Sequence, residues 1–143
     1  MRIADVLNSK GHSHVATIAP DADVTELLAL LATHGIGAAV VSEDGGDTIA
    51  GIVSERDIVR RLAVAPDSLR TCVRDIMTVR VHTCSPETTV ADLSLDMTQR
   101  RIRHVPVVRD GRMVGLVSIG DVVKHRISQL EHEADHLASY IQQ

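Results

Sequence analysis

The sequence predicts an α+β fold, with two β-α-β-β-α repeats packed face to face about a pseudo-two-fold axis and a C-terminal amphipathic helix after them. Three observations carry this. A nine-residue stretch is used twice, as Gly51-Ile52-Val53-Ser54-Glu55-Arg56-Asp57-Ile58-Val59 and as Gly115-Leu116-Val117-Ser118-Ile119-Gly120-Asp121-Val122-Val123. Each copy is an aliphatic run ending in Ser, with Asp three residues later, the pattern of a strand turning directly into a capped helix. The segments before it repeat as well, so the chain up to the C-terminal helix is a duplication. Finally, a unit of about 55–60 residues buries an apolar sheet poorly alone, and two units sharing a core remove that difficulty.

Taken in order, Asp5-Val6-Leu7 recurs as Asp75-Ile76-Met77, and Thr17-Ile18-Ala19-Pro20 as Thr83-Cys84-Ser85-Pro86. The first repeat is assigned strands at Val15–Ile18, Ala38–Ser42 and Ile49–Val53, with helices at Val24–His34 and Asp57–Ala63. Its counterparts are Val81–Cys84, Val90–Gln99, His104–Val108, Met113–Val117 and Asp121–Ile127. Val24, Leu27 and Leu31 recur as Val90, Leu93 and Met97 at helical spacing, and Ile36 to Val41 recurs as Ile102 to Val107. Asp-Gly turns join the paired strands. Val64 to Cys72, with Pro66 and Asp67, forms the linker. The domains are thus placed at 7–65 and 75–130, with a C-terminal helix at 124–143. In that helix Ile127, Leu130, Ala134, Leu137 and Ile141 make one narrow apolar stripe, which fits either packing on its own domain or a dimer seam.

Composition narrows the function classes. Hydrophobic residues are 44% of the chain and charged residues 24%, with four Pro, as expected of a folded domain. Tyr140 is the sole aromatic residue, so the core is Val, Leu, Ile, Ala and Met, and base stacking on single-stranded nucleic acid is disfavoured. A net charge of −4 and the absence of a long basic run argue further against nucleic acid. Arg60-Arg61 and Arg100-Arg101-Ile102-Arg103 are local clusters. No signal-peptide or membrane-spanning run is present, and Cys72 and Cys84 have no paired spacing, which points to free thiols and the cytoplasm.

The two G-[IL]-V-S-x-x-D motifs, the β-α-β-β-α order and Arg103-His104-Val105-Pro106-Val107-Val108 together resemble a tandem cystathionine-beta-synthase (CBS) domain pair, or Bateman module. The resemblance spans roughly Met1 to Ile127. It implies a non-catalytic regulatory module binding an adenine nucleotide or related adenosyl ligand in the cleft between the repeats. It also implies that Thr17 and Thr83 touch base or sugar, and that His104, close before Pro106, faces the ligand.

The residues support this on their own terms. Ser54 with Asp57, and Ser118 with Asp121, make capping boxes in any protein, yet each carboxylate is also suited to two vicinal ribose hydroxyls. Arg56, Arg103 and His104 supply cations for phosphate, with surface solvation the plainer alternative. Without aromatics, adenine must lie between aliphatic residues, drawn from Ile36, Ala39, Val105 and Pro106. Arg56 has Gly120 as its counterpart, and Gly37-Ala38-Ala39-Val40 stands opposite Arg103-His104-Val105-Pro106, so the two half-sites are expected to be unequal. AMP and NAD(H) lead the expected ligands, with ATP behind them. A homodimer and an unidentified regulated protein are the expected partners, with no nucleic acid and no membrane. Two rivals remain: a ligand-free dimerisation scaffold, and a zinc hydrolase through His132-Glu133-Ala134-Asp135-His136. The second lacks a third ligand in sequence, and no metal site is assigned.

Overall fold

The computed structural model describes residues 1–11 and 15–142. Residues 12–14 of the first expected repeat, and the last residue of the expected C-terminal helix, lie outside the described residues. The chain opens with α1 (Ile3–Ser9), seven residues whose apolar pattern is too short for periodicity to reveal. Then come β1 (Thr17–Ile18), α2 (Val24–His34), β2 (Ala38–Val41), β3 (Gly51–Ser54) and α3 (Glu55–Val64). Short 3₁₀ turns at Ser68–Arg70 and Val73–Asp75 lead to α4 (Val90–Arg100), β4 (His104–Arg109), β5 (Arg112–Ser118) and α5 (Ile119–Ile141).

β1 runs parallel to β2, and β2 antiparallel to β3, in a three-stranded sheet; β4 and β5 form an antiparallel pair. The expected strand at Val81–Cys84 is reduced to one bridge, Cys84 beside Val107. Pro106 explains the loss. In the first half Val40 donates its amide to Ala16, extending the ladder by a rung. Its counterpart Pro106 has no amide hydrogen to donate. The β4–β5 turn is Asp110-Gly111, both at positive φ, the two-residue geometry that matches strand twist. The helix expected at Asp121–Ile127 and the C-terminal helix are one element, because no Gly or Pro interrupts residues 121 to 141.

Two aliphatic cores result. One is built on Val24, Leu27, Leu31, Ala39, Val41 and Val53, the other on Val90, Leu93, Met97, Val105, Val107 and Val117. Each is completed by the other half. Ile3, Val6 and Leu7 of α1 pack into the second core, and Val73, Ile76 and Met77 pack into the first. The same three backbone bonds fasten both insertions. Ile3, Ala4 and Val90 amides donate to Thr88, Pro86 and Met1; Val73, Arg74 and Val24 donate to Ala22, Pro20 and Thr71. Full burial of an Ile or Val side chain contributes about 1.5–3 kcal/mol, so each exchanged segment is a substantial part of its host core.

The exchange requires a glycine on each receiving strand. A β-carbon at Gly51 would lie 2.7 Å from Met77 Sδ and 2.7 Å from the Thr78 carbonyl oxygen. At Gly115 it would lie 2.6 Å from a terminal methyl of Leu7. A leucine tip can rotate away, whereas a backbone carbonyl cannot. Gly51→Ala is therefore expected to cost about 1–3 kcal/mol in urea unfolding, and Gly115→Ala less. Leu7→Ala should relieve part of the Gly115→Ala penalty and none of the Gly51→Ala penalty.

Candidate functional site

Two cavities open between the halves, of about 640 Å³ and 510 Å³. Each takes a Ser-x-x-Asp corner from one half and a helix-to-strand connection from the other. The larger joins Ser118 and Asp121 to His34, Gly35, Ile36 and Ala38. The smaller joins Ser54 and Asp57 to Arg100, Arg101, Ile102 and His104. His104 borders both.

Both corners are full capping boxes. The Ser54 amide donates to Asp57 Oδ2 at 2.8 Å, and the Asp57 amide to Ser54 Oγ at 3.4 Å. The matching distances at Ser118 and Asp121 are 2.9 and 3.2 Å. Capping occupies Oδ2 in each case, and neither Oδ1 has a hydrogen-bond partner among the described residues. The corners differ in their cation. Lys10 Nζ lies 2.8 Å from Asp121 Oδ2, while Asp57 makes no ion pair among the described residues. Burial raises the Asp121 carboxyl, but Lys10 and the Ser118 amide outweigh it and hold its pKa below the usual value.

The profile of the CBS domain matches residues 3–64 and 73–128. The protein belongs to the CBS-domain family. The mitochondrial CBS domain-containing protein CBSX3 of Arabidopsis thaliana is 40% identical to it, over 98% of this chain and 71% of that protein. A CBS-domain protein of Agrobacterium tumefaciens superposes with a TM-score of 0.84 at 40% identity, covering 88% of this chain and 99% of the other. The CBS domain pair of protein MJ0100, solved with 5′-methylthioadenosine and S-adenosyl-L-methionine, gives 0.77 at 25% identity over 90% and 98%. CBS pairs are regulatory ligand-binding modules.

Within this CBS pair the expected site residues divide. Ser54, Arg56, Asp57, Arg103 and His104 line the smaller cavity, and Ile36, Ser118, Asp121 and His104 the larger. Ala39 and Val105 do not reach either: strand alternation turns Ala38 and His104 to the cleft and their neighbours into the cores, where both are 0% exposed. Pro106 is also buried, its carbonyl accepting from Cys84. Thr17 lines neither cavity, and Thr83 borders a separate hollow beside Thr88 and Asp92. Sequence reasoning missed Lys10, His34, Arg60, Arg80, Arg100, Arg101 and Ile102. Ile102 and Arg101 were recoverable, since the repeat aligns them with Ile36 and Gly35. His132 and His136 lie on the exposed part of α5, and no three His, Cys, Asp or Glu side chains are grouped for a metal among the described residues.

Burial lowers the pKa of His104; Arg103 and Lys10 push the same way, against Glu55 and Asp121. The unfolded chain therefore takes up this proton first. His104 contributes stability that is complete above the ordinary histidine value of about 6.5 and is lost as pH falls towards the lower folded value. Denaturation midpoints at pH 7.5 and 5.5 should differ less for His104→Gln than for the parent protein.

Proposed function

We propose that this CBS pair is a non-catalytic regulatory module that binds an adenine nucleotide, AMP or NAD(H), in the cleft between its halves. The observation that carries the reading is the pairing of each Asp Oδ1, free of capping, with an aliphatic wall from the opposite half. The carboxylate suits the ribose hydroxyls, and Ile36 or Ile102 suits the face of adenine. Because each cavity uses both halves, a ligand that prefers one arrangement of the halves shifts their population, and a regulated protein can sense that shift. The adenosyl ligands of the MJ0100 pair support the ligand class.

Asp57→Asn and Asp121→Asn separate the capping and binding roles, because the carboxamide oxygen can still accept the Ser54 or Ser118 amide while the second position becomes a donor. Calorimetry against AMP and NADH should show about tenfold weaker binding for at least one variant, with little change in melting temperature for Asp57→Asn and a lower one for Asp121→Asn, which loses the Lys10 ion pair. The parent protein should gain about 2.7 kcal/mol of stability at a ligand concentration 100 times Kd. No thermal shift with any adenosyl compound would favour the ligand-free scaffold.

α5 supports a homodimer. Ile127, Leu130, Leu137 and Ile141 are 52%, 47%, 62% and 81% exposed on one stripe. Two carboxylates, Glu131 and Glu133, lie between Leu130 and Leu137 of this stripe. A second copy laid along the stripe would cover these side chains. Sedimentation should give a dimer for the parent protein and a monomer for Leu130→Glu.

A further inference from the structure

The two cavities occupy equivalent places in the duplication and carry different charge. The smaller is lined by Arg56, Arg60, Arg80, Arg100, Arg101 and Arg103, against two carboxylates, Glu55 and Asp57. That is six positive charges against two negative, a formal excess of four, in a chain whose net charge is −4. The larger cavity has Lys10 and Asp121, which neutralise each other at 2.8 Å. Five of the six arginines have no carboxylate partner among the described residues; Arg100 alone is paired, to Asp96.

Arg101 is the decisive residue. It ends α4 at φ 56°, a left-handed conformation that favours glycine. Its counterpart Gly35 ends α2 at φ 60°, so the same turn is made by glycine beside the neutral cavity. Nothing in the turn itself requires an arginine. The chain keeps an unfavourable residue where its side chain lines the charged cavity, and strain of this kind is retained at functional positions. Several guanidinium forks around one pocket match the many oxygens of linked phosphates better than a single phosphate.

We propose that the arginine-lined cavity is a pyrophosphate subsite, taking the linked phosphates of an adenosine ligand, while the Asp121 cavity takes an adenosyl compound without net negative charge. The two cavities then bind different ligands, and the pair reads two compounds at once. This rests on the adenosyl reading above, selects NAD(H) over AMP within it, and adds to it the ligand class of each cavity.

Calorimetry on the full chain tests it with inorganic triphosphate, 5′-methylthioadenosine, AMP, ADP, ATP and NAD. ADP, ATP or NAD should bind at least about tenfold tighter than AMP, and the affinity should fall steeply with added salt. The tightest of the three identifies the source of the pyrophosphate. Arg101→Gly should weaken that binding about fivefold or more while leaving the melting temperature unchanged or higher, since glycine is favoured at this φ. Arg80→Gln should act likewise. Binding of 5′-methylthioadenosine should resist salt and both substitutions. Triphosphate binding without any adenosyl binding would overturn the adenosyl reading and leave the arginine subsite standing. AMP as tight as ADP, ATP and NAD, or affinity for them unaffected by Arg101→Gly and Arg80→Gln, would overturn the subsite.

Discussion

The structure depends on the exchange of leading segments between its halves. Neither aliphatic core closes from its own repeat: the second needs Ile3 and Val6, and the first needs Val73 and Met77. The absence of Trp and Phe makes this constraint sharper, because no large ring is available to fill the space with local residues. The exchange also explains why both receiving strands carry a glycine. Gly51 and Gly115 let Met77 and Leu7 approach the strand more closely than any β-carbon allows. Interlocking the halves in this way fixes the cleft between them, so the cavities are a consequence of core packing.

The same interlock couples stability to the site. The segment that completes the second core ends in Lys10, which bonds both Asp121 and the Leu116 carbonyl. Its counterpart in the duplication is Arg80, which lines the same cavity as Asp57. Each Ser-x-x-Asp corner holds a helix start with one carboxylate oxygen and leaves the other without a hydrogen-bond partner among the described residues. The structural and functional explanations of this motif are compatible, because a carboxylate has acceptors enough for both.

Much of this was legible in the residues themselves. Helix α2 falls at Val24–His34 as its spacing requires, and the strand-to-helix corners at Ser54 and Ser118 are where the motif puts them. Other elements were hidden. α1 is too short to show a period, and its partner core lies some 80 residues away in sequence, beyond any local pattern. The missing strand before Cys84 turns on one absent amide hydrogen, at Pro106, which matters only once that residue's neighbour in the sheet is known. Ala39 and Val105 were placed at the ligand although alternation with Ala38 and His104 turns them inward; which face is the cleft depends on where the second repeat sits.

The duplication, the aliphatic core, the capped corners and the family were determined by sequence alone, because they rest on residue type and spacing along one chain. Which arginines share a cavity, and which aspartate is neutralised by a lysine, only the tertiary structure decided. Arg56, Arg80 and Arg101 are scattered along the chain, and Lys10 is 111 residues from Asp121. Electrostatic fields depend on distance through space, and that distance is set by how the two halves exchange their cores.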